Sequence, residues 1–211
     1  MAELLDLSRT GTNPQRFANQ VSADEGILEE LLNGISPATK KTAIRENSFK
    51  ALRLLGEQQP QILLPHWNYL VSLLKSDNGF SKYAAIYLIT ALVTVDDQGR
   101  FEKAFHVYYD LLDDESVMVA SHVAGTSGQI ARAKPALQSK ITQRLLAIDA
   151  THFEANRQGL IKSYIIAAFD EYFEASRDQS RILAFVRQQI DCASPTARKK
   201  AKEFLKKWAA A

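Results

Sequence analysis

Cysteine is nearly missing from this chain: there is one, Cys192, in 211 residues. A single thiol excludes an internal disulfide, so packing alone must hold the fold, and it fits a reducing compartment. Glycine (9) and proline (6) are sparse too, which excludes collagen-like and low-complexity chains. Neither sign of charge dominates: 26 lysines and arginines face 24 aspartates and glutamates, a net +2. That excess does not by itself call for a polyanionic partner. Long apolar runs are lacking as well. The longest, Tyr83 to Val95, contains Thr90 and Thr94 and falls short of the roughly 20 residues that span a bilayer. It reads as a buried helix, and no membrane is expected. Met1-Ala2-Glu3-Leu4-Leu5-Asp6 carries an early acid and no basic-then-apolar block. It does not read as a secretory leader, and a cytoplasmic location is expected.

What the chain does have is apolar residues at helical spacing, broken by short polar turns. Pro60-Gln61-Ile62-Leu63-Leu64-Pro65 leads into an apolar stretch ending at Leu74, then Ser76-Asp77-Asn78-Gly79, then a second apolar helix pattern with Tyr83, Ile86, Ile89, Leu92 and Val93. This helix–turn–helix recurs every 35 to 41 residues or so, the range of helical repeats. Upstream, Ser22 and Glu25 have capping-box spacing, ahead of a helix burying Ile27, Leu28, Leu31 and Leu32. The next helix is expected from about Thr39 to Gly56, with Ile44, Phe49, Leu52 and Leu55 inward. Proline lacks an amide hydrogen, so Pro65 must lie near a helix start. Downstream helices carry Phe101, Phe105, Tyr108, Tyr109 and Leu112, then Val117 to Ile130, then Leu137 to Ile148, then Leu160 to Phe173. The last pair spans Ile182 to Ile190 and Ala197 to Trp208, the latter opened by Ser194-Pro195 as N-cap and first turn. No stretch alternates apolar and polar residues long enough for a strand. The expectation is an all-α right-handed superhelix of about five stacked antiparallel helix hairpins. Residues 1–21 form an N-terminal arm or short cap, and 22–211 form a single domain.

Leu111-Leu112-Asp113-Asp114-Glu115-Ser116-Val117-Met118-Val119-Ala120, with Ile130 and Pro135 downstream, resembles the turn and second helix of a HEAT repeat. Ile62-Leu63-Leu64-Pro65 resembles the first helix of one. Met118 stands where that consensus often has arginine. The resemblance implies a curved superhelix whose second helices line a concave binding face. It implies no chemistry.

The candidate binding residues are basic. Arg198, Lys199, Lys200, Lys202, Lys206 and Lys207 surround one acid, Glu203, on the last helix. That pattern suits an acidic or phosphate-bearing partner, or else the solvated face of a capping helix. Lys41, Lys82, Ser116, Arg157 and Arg198 recur at steps of 34 or 41 and fall near the starts of second helices. They place four cations along one edge or are ordinary surface residues. Gly125 and Gly128 sit inside an expected helix, at a cost of roughly 1 kcal/mol each against alanine. Close helix packing, or a partner approaching the backbone, has to compensate. The segment lacks the lysine and preceding strand of a phosphate loop.

Catalysis finds little support. His66, His106, His122 and His152 are scattered without a metal-ligand pair, and Cys192 has no nearby histidine. Asp110, Asp113, Asp114 and Glu115 lack calcium-loop spacing. Asp170, Glu171 and Glu174 read as a solvated acidic patch. Alkylpurine DNA glycosylases of the HEAT-like type carry aromatics and an aspartate in their groove. Trp67 and Trp208 lie far apart here, and no such tryptophan–aspartate cluster is evident. The expected function is therefore a non-enzymatic scaffold for a protein partner, without cofactor, catalytic residues or metal. Nucleic acid is the alternative partner, through Lys41, Lys82, Arg157, Arg198, Lys199, Lys200 and Lys202. Exposed aromatics on that face, such as Tyr108 or Tyr164, would favour a protein partner over nucleic acid.

Overall fold

The computed structural model describes residues 7–9, 13–21 and 25–208. The described residues form helices joined by short turns, with no strand among them. The chain divides into two compact units, residues 1–104 and 105–211.

The first unit holds α1 (Pro14–Val21), α2 (Glu25–Gly34), α3 (Thr42–Gln58), α4 (Pro60–Leu63), α5 (Trp67–Leu73) and α6 (Gly79–Leu92). Its centre is α3, which packs on α1, α2, α4 and α6; α6 packs in turn on α4 and α5. The predicted apolar stripes are buried on both α2 and α3. Helix α3 begins three residues later than its periodicity predicts because the preceding turn holds Thr39. Its amide donates to the Ser36 carbonyl and its hydroxyl to the Asn33 carbonyl, 3.1 and 2.7 Å. Buried Asn47 on α3 donates to the carbonyls of Leu7 and Arg9, 2.7 and 3.1 Å, fastening residues 7–9 to the unit. The helix opened by Pro60 gives way to a 3₁₀ turn at Leu64–His66 and resumes at Trp67, so Pro65 falls where its missing amide breaks no long ladder. Asn78 caps α6, its side chain accepting from the Ser81 amide at 3.1 Å. Ser22, the N-cap of the expected capping box, lies outside the described residues.

Helix α7 (Arg100–Tyr109) runs across the division. Buried Asp96 sets its start, accepting from the amides of Arg100 and Phe101 at 3.1 and 3.0 Å. Gly99 supplies the turn with a φ of +63°, which side chains disfavour. The second unit continues with α8 (Val117–Ala133), α9 (Gln138–Leu146), α10 (Ala155–Tyr172), α11 (Gln179–Gln188) and α12 (Pro195–Trp208). Here α8 packs on α10 and α10 on α12, while α9 packs on α8 and α11 on α12. Each pair thus lends its longer second helix to one row, and no pair buries its apolar face alone. The Ser194 hydroxyl accepts from the Ala197 amide at 3.3 Å, capping α12.

Second helices α3, α6, α8, α10 and α12 begin 37, 38, 38 and 40 residues apart, which is the repeat visible in the sequence. The α8 glycines are explained by close packing: a Cβ on Gly128 would lie 2.8 Å from the Ala168 carbonyl oxygen of α10, and one on Gly125 3.1 Å from the Tyr164 ring.

Candidate functional site

Helix α6 is apolar almost all round. Ala84, Ala85, Ile86, Leu88, Ile89 and Leu92 are completely buried. Among its residues that reach solvent are Phe80, Tyr83 and Tyr87, each half-buried, spaced so that they form one stripe. On neighbouring α3, Phe49 lies beneath them. Its ring centre is 4.7 Å from Tyr83, 6.0 Å from Tyr87 and 6.2 Å from Phe80. Tyr83 and Tyr87 meet edge-on at 5.0 Å. Two arginines of α3 flank the cluster: the Arg45 guanidinium lies 5.8 Å from the Phe80 ring centre and that of Arg53 5.4 Å from Tyr87. Contacts of this kind contribute about 0.5–1 kcal/mol at exposed sites.

Each arginine also has its Nε occupied. Arg45 donates to the Thr39 carbonyl at 2.6 Å, and Arg53 to Glu57 at 3.0 Å. Partial burial raises the Tyr83 phenol above its ordinary value, with Arg53 opposing the shift. Beyond Arg53, a shallow notch is lined by Pro14 of α1 with Lys50, Arg53, Leu54 and Glu57 of α3. Residues 40–58 and 79–92 together carry six cations, Lys40, Lys41, Arg45, Lys50, Arg53 and Lys82, against two acids, Glu46 and Glu57. These two segments are therefore net positive, and the face they carry is aromatic and arginine-framed.

The second-helix row of the other unit differs. Met118 at the start of α8 is 48% exposed, the large apolar side chain most open to solvent among the described residues. His122, one turn on, is half-buried, and desolvation lowers its pKa. Tyr164 of α10 packs against Gly125. Glu171 lies over Gly128 and pairs with Arg132 at 3.0 Å; burial pushes its carboxyl up, and Arg132 partly offsets this. Asp170 accepts from the Trp208 indole and from Lys207, the latter at 2.9 Å. A tryptophan and an aspartate thus do meet here, although 38 residues apart. Their contact ties α12 to α10, and this acidic patch is partnered rather than merely solvated.

The basic positions all fall at second-helix starts. Lys41 stands at the N-cap position of α3 without a side-chain cap bond, Lys82 is the fourth residue of α6, Arg157 the third of α10 and Arg198 the fourth of α12. Their surroundings differ. Lys41 and Arg157 are exposed and Lys82 is half-buried. Arg198 donates to the carbonyls of Cys192 and Ala193, 2.7 and 3.1 Å, and so closes its own loop. Lys199 and Lys200 both lean toward Glu203, at 4.0 and 3.8 Å, while Lys202 and Lys206 are exposed. Tyr108 does not mark a binding face: it is completely buried, its hydroxyl 2.7 Å from that of Thr126. The α3–α6 cluster escaped the sequence reading. Its one signal was the aromatic spacing at 80, 83 and 87 beside arginines at 45 and 53.

Among the described residues no group of three or more histidines, cysteines or acids is placed to hold a metal ion, and no helix is long and apolar enough to cross a membrane. Neither a protein-family model nor a curated protein matches this sequence. Among solved structures, a designed armadillo repeat protein superposes on 97% of this chain and 90% of its own, with a TM-score of 0.58 at 16% identity. At that identity the likeness is one of fold, and the fold is a helical-repeat solenoid.

Proposed function

We propose that this chain is a non-enzymatic scaffold that takes a protein partner on the solvent faces of its second helices. The observation that carries the reading is the α3–α6 face, where arginines frame half-buried rings. Aromatic residues and arginine are the types enriched at the centre of protein interfaces. A helical repeat supplies such a face without any chemistry of its own. Lys41 and Lys82 are the polar rim of that face in this reading, and Arg157, Arg198, Lys199, Lys200 and Lys202 are the basic partner contacts that the second unit offers by itself. One half-buried thiol, Cys192, suits a reducing cytoplasm.

A photo-crosslinking residue in place of Tyr83 tests the reading, with Lys103, exposed on α7, as the control position. Protein adducts that survive nuclease and form from position 83 but not 103 support it. Nuclease-sensitive adducts, or equal labelling from both sites, sink it.

One observation favours a second reading. Lys199, Lys202 and Lys206 are exposed along one side of α12, where they suit phosphates of a nucleic acid. Anisotropy of a labelled duplex that rises at low salt, and no longer does after reversal of Lys199, Lys200 and Lys202 to glutamate, is its signature.

A further inference from the structure

We propose that the α3–α6 face recognises an extended acidic peptide segment, holding two carboxylates on Arg45 and Arg53 and an apolar side chain on the rings between them. The inference rests on the protein-binding reading above and names its ligand. Among the described residues, the hydrogen bonds of Arg45 and Arg53 are made through Nε, which leaves the terminal guanidinium nitrogens for a planar acceptor such as carboxylate. The two arginines are eight residues apart on one helix, about 12 Å along its axis. An extended chain advances about 3.3 Å per residue, so acids about four positions apart match that span. Tyr83 and Tyr87 lie between them, and the Pro14–Leu54 notch beyond Arg53 offers a second apolar seat.

Two other occupants fit worse. Single-stranded nucleic acid binds by stacking bases on open ring faces. Here Phe80 and Tyr87 are each flanked by a guanidinium, and Tyr83 and Tyr87 lean edge-on against each other. A second copy of this face would set the Arg45–Arg53 pair against itself, a like-charge meeting that disfavours it.

The test is a random-peptide display selection on the full chain, followed by anisotropy titration of the enriched peptides. Enrichment of acids three or four positions apart around an apolar residue is expected. Affinity should fall about tenfold or more in Arg45→Glu/Arg53→Glu. Arg45→Lys/Arg53→Lys keeps the charge but not the planar fork, and an intermediate loss is expected. Circular dichroism melting checks that both variants fold. Enriched peptides without acids, or peptides indifferent to both double variants, overturn this inference and leave the protein-binding reading standing. A chain that yields no binder, and whose position 83 crosslinks to no protein, overturns both. A labelled single-stranded oligonucleotide that binds, and is lost in the same glutamate variant, replaces the acidic peptide.

Discussion

At the residue scale, Gly128 and Gly125 show how one residue type does two different jobs. A side chain at Gly128 meets the backbone oxygen of Ala168 at 2.8 Å, and backbone cannot swing away; at Gly125 it meets the Tyr164 ring at the longer distance of 3.1 Å, and a ring is a side chain that can shift. Gly128→Ala is therefore expected to destabilise the chain by about 1–3 kcal/mol, and Gly125→Ala by clearly less, as measured by urea denaturation. His122 makes a second prediction. Desolvation holds its folded-state pKa below the ordinary 6.5, so the unfolded chain protonates first. Stability from this group is full above that unfolded value and is lost as pH falls through it. The urea midpoint is expected to drop between about pH 7.5 and 5.5, and to drop less in His122→Gln. That the glycines mark close packing was legible, since a helix that tolerates two of them must gain elsewhere. That Tyr108 is buried follows from its place among the apolar positions of α7, but the partner of its hydroxyl was not legible, because Thr126 lies on the next helix and shares no local pattern with it.

At the element scale, caps and turns were the most readable features. Ser194 caps the helix it was expected to open, Asn78 lies in the expected turn and also caps α6, and the Pro60 and Pro65 breaks fall where proline's missing amide requires. The start of α3 was misplaced because the hydroxyl of Thr39 competes for the Asn33 carbonyl, a bond no periodicity records. The α6 stripe was illegible for a deeper reason. A helix apolar all round has no preferred side, so its sequence cannot say which rings are covered; only the neighbours decide. Two tertiary ties give predictions at this scale. Asn47→Ala strips the buried bonds to Leu7 and Arg9 and is expected to cost about 1–3 kcal/mol. Faster amide exchange through residues 13–21 is expected with it. Trp208→Phe keeps the ring contact with Phe173, at 5.1 Å, but loses the indole bond to Asp170. Faster exchange confined to the last turns of α12 is expected, with a stability loss of about 1 kcal/mol.

At the scale of the molecule, the repeat was the legible part. Second helices that begin 37 to 40 residues apart can be counted in the sequence without knowing any contact. The α3–α6 aromatic face was not, since it joins residues 45–53 to 80–87, which share no motif. Charge at this scale is almost balanced, 26 cations to 24 acids. Association with duplex DNA through the α12 lysines is therefore expected to be weak. An anisotropy titration should show it at about 50 mM salt and lose it near 200 mM, since a few phosphate contacts dissociate steeply with salt.

The two arginines resting on rings carry one more consequence. A free arginine samples many rotamers, with about 2 kcal/mol of conformational entropy to lose when something finally holds it. Arg45 and Arg53 have surrendered part of that freedom on folding, to Thr39, Glu57 and the rings. An incoming carboxylate then meets a guanidinium that is already oriented, and more of the bond energy appears as affinity. Residence time, more than encounter rate, is the quantity in which that advantage should be read.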